Sequence, residues 1–335
     1  MQNSHLVLTP EALTMMDAIA RTGSFAAAAR ELGKVPSALT YNVRQLEDAL
    51  DVLLFDRSSR QARFTAAGKE LLNEGRRLLA EVQAVSNRVR RVATGWETQL
   101  AVALDGVLSQ VTMFELCEAF YALNPQGVTG GVAGGVTGGP GTRLRLRTEV
   151  LAGTWEALIT GEADLAIGVG IEAPLPPGVA IEPLGELGFA FAFAPHHPLA
   201  ALEGPLSDAE ILRHRAVAVA DSAHRLSKMT VNLLPGQDVL TVATTQDKIE
   251  ALLRGMGCAF VPEPMARHHI EAGRLVVRKV QRPRQAVRMG YAWRCDVGPR
   301  GRRAPVGQAL GWWLEQLQRP ATRAALMERH VPVAS

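Results

Sequence analysis

Apolar residues recur at helical spacing through the first fifty positions. Leu13, Met16, Ile19 and Ala20 share one face of a helix predicted over Pro10 to Arg21, with Thr9 as N-cap and Pro10 at the first helical position. Gly23 interrupts the pattern and Ser24 can cap a second short helix. Phe25, Ala28, Ala29 and Leu32 form its buried stripe, and Gly33 supplies the next turn. A third helix begins near Pro36, where Leu39, Val43, Leu46 and Leu50 make one apolar stripe. The opposite face carries Ser37, Thr40, Tyr41, Asn42 and Arg44.

Two short helices joined by a glycine turn, the second polar along one side, have the layout of a helix-turn-helix. In that motif the start of the second helix enters the major groove of DNA. Extended candidates at Leu53 to Phe55 and Arg63 to Thr65 flank Arg57 and Arg60, which predicts a hairpin wing whose arginines neutralise phosphates without reading bases. Spacing alone also admits a small helical packing module with solvated charges.

Ala66 to Ala93 contains no proline. Leu71, Gly75, Leu78, Val82, Val85, Val89 and Val92 alternate spacings of four and three, a heptad seam weakened only at Gly75. A helix this long against a mean of about 11–12 residues predicts a dimerising linker rather than an element packed on its own domain. The pattern changes near Trp96. Strands at Leu100 to Leu104, Arg143 to Val150, Asp164 to Val169, Leu187 to Ala194, Ala216 to Ala220, Val239 to Thr244 and Cys258 to Val261 alternate with helices, including one through Phe114, Leu116 and Phe120. This predicts an α/β fold with mainly parallel sheets.

The 335 residues suffice for two or three domains, and 47% hydrophobic with 21% charged residues is ordinary globular composition. A net charge of +3 is too small to argue for nucleic acid by itself. No apolar run approaches the roughly 18–20 residues of a membrane span, and Met1 to Pro10 lacks a signal-peptide layout. Cys117, Cys258 and Cys295 are sparse and odd in number, which favours a reducing cytoplasm.

The stretch GSFAAAARELGKVPSALTYNVRQLEDALDVLLFDR, followed by FTAAGKELL, closely resembles the DNA-binding region of LysR-type transcriptional regulators. The matching positions are Gly23-Ser24-Phe25, Ala28-Ala29, Leu32, Ser37 to Thr40, Leu46-Glu47, Leu54-Phe55-Asp56-Arg57 and Thr65 to Gly68. A weaker match continues to about residue 318. The resemblance implies a bacterial, cytoplasmic regulator rather than an enzyme, with no cofactor and no metal. It implies an N-terminal all-α winged helix-turn-helix (1–65), a long linker helix (66–95) and a C-terminal α/β, two-lobed effector domain like a periplasmic binding protein. Lobe I is expected at 97–170 plus 266–318, lobe II at 171–265, and a tail at 319–335. The expected partners are double-stranded DNA, a small organic effector (the chain's branch of the family favours an aromatic one), a second copy as dimer or tetramer, and RNA polymerase.

By the same resemblance Pro36, Ser37, Thr40, Tyr41 and Arg44 face DNA, with Arg57 and Arg60 on the wing. Many members have Gln at the position of Pro36 and Arg or Lys at that of Tyr41, so the family's usual half-site preference does not transfer. Ligands in such α/β lobes sit beyond strand carboxyl ends and near helix N-termini. That singles out Asp105, Gly106, Gly153, Thr154, Val169, Gly170, Asp221, Ser222, Thr244 and Thr245. Thr154 and Thr245 read equally as helix caps, and Asp221 as a turn residue.

Other signals lead elsewhere. His196-His197 and His268-His269 have no Cys or carboxylate at metal-ligand spacing. No Gly-x-Ser-x-Gly elbow is present, and Gly168-Val-Gly170 lacks a dinucleotide site's third glycine. Gly127 to Gly141 reads as a flexible insertion without the lysine of a phosphate loop. Cys258 reads as a buried small hydrophobe. The arginine-rich segment Arg274 to Arg303 reads as a solvated surface of lobe I.

Overall fold

The computed structural model describes residues 7–56, 62–123, 141–171, 178–229, 231–282, 286–295 and 306–330, and only the backbone at 84, 87, 88 and 90–94. The chain divides into two units, Met1–Val89 and Arg90–Ser335.

In the first unit, α1 (Pro10–Thr22), α2 (Phe25–Glu31) and α3 (Pro36–Leu50) form the head. Thr9 Oγ1 accepts from the Ala12 amide at 3.2 Å, and Gly23 ends α1 with φ of 67°. Ser24 occupies the N-cap of α2 but makes no side-chain capping bond, contrary to the role expected of it. The buried face of α1 is broader than predicted, taking in Ala12, Met15 and Ala18, while Ala20 is only half-buried. These side chains pack with Ala28, Ala29, Leu39, Val43 and Leu46 in one core.

Phe55 and Phe64 form an antiparallel bridge, the base of the expected hairpin. Its tip, with Arg57 and Arg60, lies outside the described residues. The buried Glu47 on α3 fixes this base: its Oε1 accepts from the amides of Leu54 at 2.8 Å and Phe55 at 3.3 Å.

The long helix α4 (Ala66–Thr94) starts against the head. A Cβ on Gly75 would lie 2.9 Å from Leu13 Cδ2, so a larger residue there would press on that side chain where α4 meets α1. Arg76 Nε pairs with Asp17 Oδ1 at 2.7 Å beside it. The predicted seam is therefore two surfaces. Leu71 and Gly75 pack on the head, whereas Leu78, Val82, Val85 and Val89 stay 49%, 49%, 46% and 65% exposed. The side chain of Val92 is not described.

The second unit holds a five-stranded sheet in the order β2-β1-β3-β10-β4, from β1 (Gln99–Asp105), β2 (Arg143–Glu149), β3 (Leu165–Gly170), β4 (Val179–Leu187) and β10 (Val287–Arg294). β1 runs parallel to β2 and β3, while β10 runs antiparallel to β3 and β4. A second group contains β5 (Phe189–Phe193), β8 (Ala259–Pro262) and β9 (Val276–Arg278), all antiparallel, and the parallel pair β6 (Ala216–Val219) and β7 (Val239–Val242). An Ala216–Cys258 bridge joins the two pieces.

Three expectations are corrected here. The sheets are mixed rather than mainly parallel, because the chain leaves lobe I along β4 and returns along β10. The expected lobe limits also shift. β4 pairs within the first sheet and β9 within the second, so lobe II runs from about Gly188 to Gln281 instead of 171–265, and lobe I resumes only near β10. The arginine-rich segment is thereby divided: Arg278 donates to the Ala200 carbonyl and Arg282 pairs with Asp208 in lobe II, while Arg294 pairs with Asp164 in lobe I. Finally, 319–335 is not simply a tail. α11 (Pro320–Glu328) buries Leu326 and Met327 in the lobe I core, and the Leu326 carbonyl accepts from Ser109 N at 2.8 Å. An apolar pair one helix beyond α10 (Gln308–Gln318) had somewhere to pack.

The lobe I core is centred on Phe120 of α5 (Gln110–Tyr121) and Trp313 of α10, both fully buried. Leu116 joins it, but Phe114 is 59% exposed on the opposite side of α5. The expected insertion Gly127 to Gly141 lies outside the described residues except for Gly141.

Candidate functional site

On α3, Pro36, Ser37, Thr40, Tyr41 and Arg44 are all exposed, while Leu39, Val43, Leu46 and Glu47 are buried. Ser37, Tyr41 and Arg44 follow at spacings of four and three, so they share one face. Tyr41 is 61% exposed, and its phenol oxygen accepts from Gln45 Nε2 at 2.8 Å. Thr40 Oγ1 donates back to the Pro36 carbonyl at 3.1 Å. Glu47 was legible only as a family-pattern residue; its role as anchor of the wing base needs the fold.

In the second unit, α6 (Ala152–Ile159) begins where β2 of lobe I meets the loop after β6 of lobe II. Asp105, at the end of β1, is buried. Its Oδ1 accepts from Val107 N at 3.0 Å, its carboxylate also accepts from the Leu151 amide, and Thr154 Oγ1 donates to Oδ2 at 3.5 Å. Burial pushes this carboxyl up to about 7, the Asp221 charge adds to the rise, and the three hydrogen bonds oppose it. Asp221 Oδ2 accepts from Ala152 N at 3.3 Å and Met229 N at 2.7 Å, and Oδ1 from Ala223 N at 2.9 Å. Asp221 is thus both a turn residue and a tie between lobes. Leu151 sits at φ 54° between these groups, a conformation costing about 1–3 kcal/mol that the paired amide bonds offset.

Ser222 completes the junction. Its Oγ donates to Glu149 Oε2 at 2.7 Å and accepts from Val150 N at 2.9 Å. A Cβ on Gly153 would lie 1.8 Å from that oxygen, so glycine is required there. Gly106 donates its amide to the Glu149 carbonyl at 2.9 Å. Asp105, Gly106, Gly153, Thr154, Asp221 and Ser222 therefore come together. Thr154 is not the helix cap; that position belongs to Leu151.

Val169 is buried within β3, and the Gly170 carbonyl accepts from Trp155 Nε1 at 3.2 Å, at the exit toward β4. Thr244 and Thr245 stand apart from the cluster. The N-cap of α8 (Thr245–Leu253) is Thr244, in a capping box with Asp247, so Thr245 is not the cap it could read as; it is the buried first residue of that helix.

Sequence reasoning missed Val107, Glu149, Leu151 and Glu156. Glu156 accepts from the amides of His224, Arg225 and Leu226, across the lobes. No local pattern signals this, because a glutamate on a helix face reads as solvated. His197 serves a turn: its Nδ1 accepts from Leu199 N at 3.2 Å, and burial beside His214 and His196 pushes its imidazole down to about 4. Burial also pushes the thiols of Cys117 to about 11 and Cys258 to about 12. Among the described residues no cluster of His, Cys, Asp and Glu could hold a metal, and no helix is long and apolar enough to cross a membrane.

Residues 10–69 match the bacterial regulatory helix-turn-helix protein, LysR family, and residues 138–318 match the LysR substrate binding domain. The chain is 38% identical over 310 residues to the probable HTH-type transcriptional regulator YhaJ of Escherichia coli K12, covering 92% of this chain and 96% of that one. It is 34% identical to the uncharacterized HTH-type regulator YeeY of the same organism, covering 92% of each. Full-length CbnR solved with its target DNA shares the fold at a TM-score of 0.53 and 18% identity, over 93% of this chain and 99% of that one. The exposed polar side of α3, the two-lobed α/β unit and these matches together mean that the chain belongs to the LysR family of DNA-binding transcriptional regulators.

Proposed function

We propose that this regulator reads duplex DNA with Pro36, Ser37, Thr40, Tyr41 and Arg44, steadied on phosphates by Arg57 and Arg60, and answers to a small organic effector at the junction of its lobes. The observation that carries the first half is the division of α3 into a buried Leu/Val side and an exposed polar side. The half-exposed stripe Leu78, Val82, Val85 and Val89 supports pairing of two copies through α4, which would set two heads for two half-sites. The effector residues of this reading are Asp105, Gly106, Gly153, Thr154, Val169, Gly170, Asp221 and Ser222. The protein works in the cytoplasm by binding rather than by turnover, and the carboxylates of Asp105 and Asp221 at the junction are engaged by backbone amides.

Gel shifts on the chain's own upstream DNA test the reading. S37A and Y41A relax sequence preference, costing about 1–3 kcal/mol at the bases they read, whereas R57A weakens binding to all sequences and flattens the salt dependence by about one unit of slope. Identical behaviour of the two classes, or absence of binding by the folded protein at low salt, contradicts it.

A further inference from the structure

We propose that the consecutive amides of His224, Arg225 and Leu226 form an anion subsite at the lobe junction, and that Glu156 is its built-in occupant, displaced by a carboxylate or phosphate group of the effector. Glu156 belongs to α6 of lobe I; the three amides belong to the loop after β6 of lobe II. Its Oε1 accepts from His224 N at 2.9 Å, and its Oε2 accepts from His224 N at 3.0 Å, Arg225 N at 2.6 Å and Leu226 N at 2.8 Å. Successive amides aimed at one point are a nest for negative charge. Bonds from N–H to an ionised carboxylate are about twice as strong as neutral ones. Burial alone would raise the carboxyl of Glu156, yet the three amide bonds outweigh it and hold the group below the usual carboxylate range.

The nest directly follows Asp221 and Ser222, whose side chains tie the same loop to Ala152 and Glu149. Only one carboxylate can take the three amides at a time. An external anion that takes them frees α6 from the loop, so it binds better to the arrangement in which the lobes have separated there. That differential affinity is what a ligand needs to shift the assembly. The inference rests on the reading of the junction as the effector site and adds the chemical class of the ligand.

Hydrogen exchange of the full-length protein tests it, in wild type, E156Q and E156A, with benzoate as carboxylate probe, benzamide as its neutral match and inorganic phosphate as the second anion. Exchange at residues 224–226 should rise about tenfold or more in E156A and less in E156Q, which keeps an acceptor oxygen. Benzoate or phosphate, but not benzamide, should restore protection in E156A at concentrations that leave wild type unchanged, and whichever does so identifies the group. Unchanged exchange in both variants overturns the role of Glu156. Faster exchange that neither anion reverses makes Glu156 a permanent staple and overturns the subsite. Either failure leaves the junction reading standing, because that reading is judged by ligand protection of residues 105–107 and 151–154, which Glu156 does not hold.

Discussion

Asp105 and Asp221 lie on opposite lobes yet hold neighbouring amides of one helix start: Asp105 accepts from Leu151 and Asp221 from Ala152. Two carboxylates thus converge on the N-terminus of α6, where the helix dipole and free N–H groups favour negative charge. Their mutual repulsion adds to burial in keeping Asp105 protonated longer than an ordinary aspartate.

This arrangement makes stability depend on pH. The native carboxyl titrates at about 7 against 3.8 for the unperturbed group, so the folded state holds the proton that the unfolded state releases. The stabilisation from this group is complete below the unperturbed value and is lost as pH rises through 7. The slope is about 1.4 kcal/mol per pH unit in between. D105N should remove that slope. Urea unfolding followed by tryptophan fluorescence isolates the second unit, because all five tryptophans lie between Trp96 and Trp313. An unchanged slope in D105N would contradict the assignment.

Gly153 has no room for a methyl group beside Ser222 Oγ. G153A should therefore destabilise the second unit, and S222A, which removes the clashing oxygen, should recover part of the loss. A double-mutant cycle in urea reads this coupling directly. Additive effects would mean that the two residues do not meet.

Glu47 carries two amides of the wing base on one buried oxygen. E47A leaves both without that acceptor, at a cost of about 1–3 kcal/mol. Exchange at Leu54 and Phe55 should accelerate while the second unit is unaffected. DNA affinity should fall without a change in sequence preference, since the exposed polar side of α3 is left as it is.

The exposed stripe on α4 and the glycine above it respond differently. V82E with V89E should give monomers in sedimentation experiments, because each large aliphatic side chain buried at a pairing surface contributes roughly 1.5–3 kcal/mol. G75A presses on Leu13 instead, so it should loosen the head and leave association intact.

The head was legible in the sequence because each of its helices buries one stripe at a regular spacing. Thr9, Gly23 and Gly33 mark the ends by rules that need no tertiary context. The lobe limits were not legible. β4 contains Pro183 and Gly185, which break any strand pattern, and it survives because it is the edge of its sheet. Its partner β10 shifts register beside Gly290, where a Cβ would meet the Glu182 carbonyl at 2.8 Å. Strand-end logic singled out Asp105, Gly153, Thr154, Asp221 and Ser222, which the fold brings together, since the ends of parallel strands and the helix starts after them are local features. It missed Glu156 and Glu149, whose partners lie some seventy residues away, and it included Thr244, whose hydroxyl is spent on its own helix.

The bond from Gln45 to Tyr41 bears on the operator. The amide occupies the acceptor side of the phenol, so the group Tyr41 offers outward is its O–H. A donor held this way finds partners in purine N7, guanine O6 or thymine O4, and meets only another donor at the amino edge of cytosine. If Tyr41 meets a base as proposed, that donor should disfavour the amino edge of cytosine at the position it contacts, which base-by-base substitution of a bound half-site would show.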